Sequence, residues 1–202
     1  MEKVSFEDLI KLRKKTGIGL KDCKEAIEES KGDIEKAIEI LRKKGILKAQ
    51  KRAGKEAKNG FIGSYVHNGQ IGVLVELASE TDFVGRDEKF RELAHNLALH
   101  IAAEAPIYIS RDDVPEDTLE KEKEIFRANL IKEGKPEKII DKIVSGQINK
   151  YYEEVCLLDQ PFVKDEKKKI KDLIDEAVAL FGEKIEIQDF VRMVLGEEEE
   201  DK

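Results

Sequence analysis

The 202-residue sequence is 40 % hydrophobic and 40 % charged, which suits a helix-rich protein with a core beneath an unusually charged surface. Its formal net charge of −7 disfavours nucleic-acid binding, because an acidic chain is repelled by phosphates. Two cysteines without a neighbouring His or Cys argue against zinc, and no apolar run approaches the roughly 18–20 residues of a membrane span, which favours a reduced, cytoplasmic protein.

Residues 1–45 are predicted to form a small N-terminal module of three helices. Two glycine-containing breaks, Thr16–Gly19 and Gly32-Asp33, separate segments whose apolar residues recur three and four positions apart. These apolar residues are Phe6, Leu9, Ile10 and Leu12, then Leu20, Cys23, Ala26 and Ile27, then Ile34, Ala37, Ile38 and Leu41. Because so short a segment buries only a small core, the module should be marginally stable by itself.

A basic, alanine-spaced stretch at 46–59 is predicted to be a helical linker. From Arg42 to Lys58 the sequence has eight Lys or Arg residues and a single acidic residue, Glu56. Such a run could contact RNA, but no aromatic residue interleaves with the charges to stack on bases. A solvated connector is therefore the favoured interpretation.

The core domain, predicted at 60–196, begins with a β-hairpin. Segments 61–67 and 71–77 are rich in branched and aromatic residues, and Asn68-Gly69 between them is the strongest short hairpin signal. The later elements are predicted as helices at about 88–103, 116–133, 136–145, 147–156 and 167–181, strands at 107–109 and 185–195, and an acidic tail at 197–202. An early hairpin and a late strand, with helices between, predict an α+β fold with a small antiparallel sheet covered by helices on one face.

Catalytic motifs are missing: the sequence has no Walker loop, dinucleotide glycine fingerprint, nucleophile elbow or His-Glu-x-x-His. On the 88–103 helix, His100 lies at the margin of the apolar stripe and His95 on the polar side, where structural roles are common. Leu99 lies opposite the stripe, where a lone exposed leucine is common and a partner contact is the alternative. The sequence thus predicts no enzyme, metal or cofactor.

The segment 79–87, between the hairpin and the next helix, is the most unusual in the chain. It should be a surface loop, yet it carries the adjacent apolar residues Phe83 and Val84. In one interpretation Phe83 folds back into the core, while Thr81 or Asp82 ties down the turn. In the other, Phe83 is an aromatic anchor presented for insertion into a partner protein. The residues by themselves do not separate the two.

Thr81-Asp82-Phe83-Val84 resembles the signature of the elongation factor Ts family, and other motifs agree in order. They are Leu12-Arg13 to Thr16-Gly17-Ile18-Gly19, Asp22-Cys23-Lys24, Gly32-Asp33-Ile34, the hairpin 63–77, Leu97–Ala103 and Leu158–Asp165. The resemblance runs from about residue 4 to 196 and indicates a short, single-core member. It implies that the N-terminal module is similar to a ubiquitin-associated domain.

The resemblance implies a guanine-nucleotide exchange factor for elongation factor Tu, a GTPase of translation elongation. In the family, the Asp-Phe pair of the signature wedges between two helices of the GTPase and disturbs its Mg²⁺ and phosphate site. That role falls to Asp82 and Phe83 here, with Thr81 and Val84 shaping the loop. Binding of the factor and of GDP would then weaken each other equally, since linkage is reciprocal.

The family has further contacts that match positions of this sequence. The N-terminal module is expected to grip another helix of the GTPase through Arg13, Leu20 and Lys21, although Lys21 departs from the apolar residue of the family. Leu99 and His100 match a second contact of the core. Longer relatives place this contact and the signature loop on different copies of the core, so this single-copy chain is expected to form a homodimer.

Two other classes of function remain open on the sequence. One is a different binding module, either a ubiquitin-associated-like adaptor or an RNA-binding accessory protein that uses the basic linker. The acidic net charge and the lack of stacking aromatics argue against RNA. An enzyme ranks third, since it would need a cofactor motif that the sequence does not contain. The partner expected is elongation factor Tu, without membrane attachment.

Overall fold

The computed structural model describes residues 5–52 and 54–197, so most of the predicted acidic tail lies outside the described residues. The helices are α1 (Phe6–Thr16), α2 (Leu20–Glu29), α3 (Ile34–Arg52), α4 (Asp82–Arg86), α5 (Glu88–Glu104), α6 (Glu116–Lys132), α7 (Glu137–Val155) and α8 (Ile170–Phe181). The strands are β1 (Asn59–His67), β2 (Ile71–Ser79), β3 (Pro161–Phe162), β4 (Asp165–Lys169) and β5 (Ile185–Val194). The chain divides into two compact units, one of Met1–Ser64, Leu74–Asn96 and Asp172–Phe190, the other of Tyr65–Val73, Leu97–Lys171 and Val191–Lys202.

The three helices predicted at the N-terminus are all present. α1 ends at Thr16 because Gly17 adopts a φ of 72° and its N–H bonds back to the carbonyl of Arg13 at 2.7 Å. The helices bury Leu12, Ile18, Cys23, Ala26, Ile27, Ala37 and Leu41 in one cluster with Ala179 of α8. The apolar periodicity of the sequence therefore located Leu12 and the buried residues of α2 and α3 correctly, but it was wrong for Phe6, Ile10 and Leu20, which are exposed.

Helix α3 is longer than the third helix expected, because it continues into the basic stretch as far as Arg52. Gly45 lies in the middle of it, where glycine is unfavourable in a helix by about 1 kcal/mol. A Cβ at this position would lie only 2.9 Å from the Ala179 Cβ and 3.1 Å from the Asp175 carbonyl oxygen. The glycine thus permits close contact between α3 and α8.

The predicted hairpin is confirmed. Asn68 and Gly69 have φ values of 50° and 69°, and the Gln70 N–H bonds the His67 carbonyl at 2.9 Å. Two successive positive φ values are what a two-residue hairpin turn requires, and Asn-Gly provides them at low cost. β1 and β2, which are hydrogen-bonded neighbours in the sheet, therefore form an antiparallel hairpin.

The sheet has the order β1-β2-β5. The Leu195 N–H bonds the Gln70 carbonyl at 2.8 Å, so the end of β5 meets the start of β2 and the pair is antiparallel. Helix α5 lies against β1, since a Cβ on Gly63 would come within 2.5 Å of the Ala94 carbonyl oxygen. The buried stripe of α5 is the predicted one and contains Phe90, Ala94, Leu97, Ala98 and Ile101. The α+β class is confirmed.

After α5, the structure departs from the predicted elements in three places. α7 is one continuous helix, because Gly146 has open space around it and the apolar side of the helix packs with α6 around Leu130, Ile140, Val144 and Ile148. The strand expected at 107–109 is only an isolated bridge between Tyr108 and Cys156. The helix expected from 167 begins at Ile170, after the antiparallel ribbon of β3 and β4, whose polar sequence carries no strand periodicity.

Candidate functional site

The unusual segment after β2 forms a short helix rather than a loop. α4 spans Asp82–Arg86, and within it Phe83 is 79 % exposed whereas Val84 is 7 % exposed. The interpretation that placed Phe83 in the core is therefore wrong in this structure. Val84 is the residue that anchors the segment to the interior, while the aromatic ring stands at the surface.

The backbone of α4 lies directly on the start of β1. A Cβ on Gly85 would be 2.4 Å from the Gly60 carbonyl oxygen, so no larger residue fits at this contact without moving the backbone. The Gly85 carbonyl accepts a hydrogen bond from Arg91 Nε at 3.2 Å, and α4 ends where the Asp87 N–H bonds the Val84 carbonyl at 3.0 Å. These contacts fix the C-terminal half of this short helix.

Two carboxylates connect the residues before α4 with the residues after α8. Glu183 accepts hydrogen bonds from Thr81 at both oxygens, from its N–H at 2.9 Å and from its hydroxyl at 2.6 Å. Glu80 accepts in return from the Lys184 N–H at 2.6 Å and from Arg52 Nη1 at 2.6 Å. The bond from Lys184 and the guanidinium of Arg52 lower the pKa of Glu80.

Asp82 begins α4 and points its carboxylate to solvent. Its Oδ2 lies 2.7 Å from Arg86 Nη2, one turn later in the same helix, and both side chains are more than half exposed. A surface pair of this kind contributes little to stability. The exposed face of α4 therefore presents one aromatic ring beside a carboxylate that is already partly neutralised by its neighbour.

The three residues predicted to make the N-terminal contact are exposed. Arg13 lies in the last turn of α1, and Leu20 and Lys21 occupy the first turn of α2, where the Leu20 side chain is 45 % exposed. Phe6 and Ile10 on α1 are also exposed apolar residues. The N-terminal module thus exposes several apolar side chains that do not belong to its core.

The second predicted contact needs correction. His100 is fully buried, which fits the structural role expected at the margin of the stripe but not a direct partner contact, and Leu99 is half-buried rather than exposed. His100 Nε2 donates to Gln160 Oε1 at 3.0 Å, and its Nδ1 accepts from the Val163 N–H at 3.3 Å. Burial lowers the pKa of His100, and the two bonds suit the neutral ring. Its ring offers no surface to a partner here.

The basic stretch is largely occupied by ion pairs within the protein. Arg42 pairs with Asp172, Lys44 with Glu25 and Glu29, Lys48 with Asp22, Arg52 with Glu80, and Lys58 with Glu56. These carboxylates reduce the positive charge that remains for phosphates. The geometry therefore favours the connector over the RNA-binding alternative.

Among the described residues, the strands carry large apolar side chains that are exposed. The most exposed are Ile62 and Val66 on β1, Leu74 on β2, Met193 on β5 and Leu195 just after it. Several such residues on one small sheet are more than the isolated exposed leucine of ordinary surfaces.

The described residues provide neither a metal-binding cluster nor a helix suited to crossing a membrane. Across residues 5–52 and 54–197, no group of three or more His, Cys, Asp or Glu side chains is arranged to hold a metal ion. Over the same ranges, no helix combines the length and the apolarity of a membrane span. Cys23 and Cys156 are buried free thiols, and burial raises the pKa of Cys156 to about 11.

Sequence reasoning singled out the α4 segment but missed what holds it. Glu183 is 102 residues from Thr81, and neither Glu80 nor Glu183 belongs to a recognisable motif. The close approach of Gly85 to Gly60 was equally invisible. The only indication in the sequence was that both residues are glycines, since glycine in or beside regular structure often marks a place where two backbones meet.

Comparison with known proteins gives a consistent result. The sequence model of the family described as Elongation factor TS matches residues 5–197. Elongation factor Ts of Moorella thermoacetica is 53 % identical over 195 residues, which cover 96 % of each chain. That of Thermodesulfovibrio yellowstonii is 54 % identical over 190 residues, 94 % of this chain and 95 % of the relative. That of Thermotoga neapolitana is 54 % identical over 196 residues, 96 % of this chain and 98 % of the relative.

Proposed function

The chain belongs to the elongation factor Ts family of translation elongation factors, and from this premise we propose that it is a guanine-nucleotide exchange factor for elongation factor Tu, acting in the cytoplasm. The observation that carries the proposal is the outward position of Phe83, which is 79 % exposed. Its helix is fixed by the hydrogen bond of Thr81 to Glu183 on one side and by the contact of Gly85 with Gly60 on the other. An exposed aromatic ring on a rigid support is the kind of residue that anchors a protein interface.

Exchange in this proposal needs no covalent chemistry. Phe83 enters between two helices of the GTPase, with Asp82 beside it, and the insertion disturbs the site that holds Mg²⁺ and the phosphates of GDP. The factor accelerates release only if it binds the nucleotide-free GTPase more tightly than the GDP-bound form. By linkage, GDP must then weaken binding of the factor to the same extent.

Two further contacts are proposed on the same GTPase. Arg13, Leu20 and Lys21 are exposed on α1 and α2, which supports a second grip by the N-terminal module. For the contact expected on α5, Leu99 retains a partly exposed side chain. His100 supports that contact from inside, through its bonds to Gln160 and Val163.

We also propose that two copies of the chain associate through the sheet. The exposed apolar side chains of its strands support this, because burying them removes apolar surface from water at about 25 cal/mol per Å². A second copy would also supply the second core that longer relatives carry within one chain. Direct nucleic-acid binding is not part of the proposal.

The test of the exchange activity is release of labelled GDP from preloaded elongation factor Tu. Substoichiometric amounts of the protein should accelerate release, with each molecule acting many times. Excess unlabelled GDP should dissociate the complex of the two proteins. Release kinetics that stay unchanged at saturating protein would refute the proposed function.

A further inference from the structure

We infer that Glu183 is a positioning residue for nucleotide exchange, because it holds the Phe83-bearing helix α4 in its exposed arrangement before any partner binds. The inference rests on the proposed exchange function. Glu183 follows α8 and lies far from α4 in sequence, yet both of its carboxylate oxygens are bound by the residue that precedes α4. Glu183 itself is assigned no contact with the partner.

Thr81 does not form the hydrogen bond that is usual for an N-cap threonine. A threonine in the N-cap position usually accepts a hydrogen bond from a backbone N–H of the first helical turn. Thr81 has the extended backbone of an N-cap, with φ −124° and ψ 157°, but its side chain makes no such bond. Its hydroxyl donates to Glu183 instead, at 2.6 Å, as does its N–H at 2.9 Å. Thr81 therefore anchors α4 to another part of the chain rather than capping it.

Helix α4 depends on tertiary contacts because it is so short. A helix of five residues has a single turn and is far too short to be stable by itself. Its position must come from contacts at its ends and on its inner side. Gly85 against Gly60 and the buried Val84 provide the C-terminal and inner contacts. The contact to the N-terminal side comes from Glu183, through two charge-assisted hydrogen bonds of the strong class.

Glu80 and Glu183 connect the same two loops in opposite directions. Glu80, in the loop before α4, binds the N–H of Lys184, whereas Glu183, in the loop after α8, binds Thr81. Each loop thus receives a carboxylate from the other. Of the two, only Glu183 acts on the residue next to α4, so its loss should loosen α4 while Glu80 keeps the loops together.

A less firmly positioned α4 should change nucleotide exchange in a specific way. If only a fraction of molecules presents Phe83 correctly, the apparent dissociation constant for the partner rises by the inverse of that fraction, whereas the bound complex is unchanged. Losing two hydrogen bonds should raise the half-saturating concentration roughly fivefold to tenfold. The maximal rate of GDP release at saturation should stay within about twofold of the wild type.

The first experiment follows amide hydrogen exchange in the free protein, for the wild type, Glu183→Ala and Glu183→Gln. The Gln amide can still accept from the Thr81 N–H and donate to its hydroxyl. Residues 81–86 should therefore lose protection in Glu183→Ala and keep most of it in Glu183→Gln, with α7 unchanged in both. Unchanged protection of 81–86 in Glu183→Ala would overturn the inference, whatever the protein does to the GTPase.

The second experiment measures GDP release from elongation factor Tu against the concentration of each variant. Glu183→Ala should shift the half-saturating concentration, Glu183→Gln should restore it, and Thr81→Val combined with Glu183→Ala should add less than the two single effects together. A Gln variant as weak as the Ala variant would overturn the inference, since it would indicate a direct charge contact with the partner. A wild-type protein that does not accelerate release would refute the exchange function, while the amide data still decide the role of Glu183.

Discussion

Phe83 and Val84 are neighbours in sequence, but the ring of Phe83 is 79 % exposed whereas the side chain of Val84 is 7 % exposed. Adjacent residues of a helix point in directions about 100° apart, so a single turn is enough to send one outward and one inward. The two neighbours therefore have different roles, which the sequence did not distinguish. Val84 holds the segment to the protein, and Phe83 is free for a partner.

Phe83→Ala should cripple exchange and leave the fold intact. An anchoring aromatic at an interface is typically worth about 2 kcal/mol or more, which is roughly a 30-fold loss of affinity. An exposed site usually changes the free energy of unfolding by no more than about 0.5 kcal/mol. The matched control is Val84→Ala, which should lower stability by about 1–3 kcal/mol because it removes buried methyl groups.

Thermal melting and GDP-release rates, measured side by side on both variants, check this. Asp82→Ala should weaken exchange less than Phe83→Ala does, since its carboxylate is exposed and already paired with Arg86. A Phe83→Ala protein that exchanges normally would show that the ring is not the anchor.

Gly85→Ala should disturb both stability and exchange. Its Cβ would lie 2.4 Å from the Gly60 carbonyl oxygen, so α4 or the start of β1 must move, at a cost of about 1–3 kcal/mol. Gly146→Ala is the contrasting control, because this glycine lies within α7 with open space around it. That change should stabilise the protein by about 0.5–1 kcal/mol. Chemical denaturation of the two variants tests both signs, and equal effects would contradict the packing described.

Protonation of His100 should lower the stability of the protein as the pH falls. Its pKa is lowered from 6.5 by burial, so the unfolded chain binds a proton at a higher pH than the folded one. The stabilisation of the neutral ring is complete above about pH 6.5 and is lost as the pH falls through the lower folded pKa. His100→Gln should be less stable at neutral pH but should lose part of the dependence of stability on pH below about pH 6.5. Denaturation midpoints across that range, with identical slopes in both proteins, would contradict this role.

The homodimer should depend on the exposed strand residues. Met193→Lys places a charge at a position that is 64 % exposed in the single chain, so it should weaken association without lowering the stability of the fold. The matched control is Phe6→Lys on α1, where the ring is 72 % exposed outside the sheet. Sedimentation should give twice the 23.0 kDa chain mass for the wild type and Phe6→Lys, and a lighter species for Met193→Lys. A wild type that sediments only as 23.0 kDa would rule the dimer out.

Local features of this protein were readable from its sequence. The helices α1, α2 and α5 follow from apolar residues at helical spacing, and the hairpin from Asn68-Gly69, because these signals act between residues close in the chain. The α+β class followed from the order of such elements. The motif Thr81–Val84 marked the candidate site as well, since its residues are contiguous.

Other features depend on tertiary contacts and could not be predicted from local sequence signals. The burial of His100 depends on Gln160 and Val163, which are 60 and 63 residues away, and the anchoring of Thr81 depends on Glu183, which is 102 residues away. α7 continues through Gly146 because packing with α6 outweighs the local preference of glycine. Phe83 is outside rather than inside because Gly85 fits against Gly60 and lets Val84 take the interior position. Periodicity describes which side of an element is apolar, whereas the element that covers this side is set by residues distant in the chain.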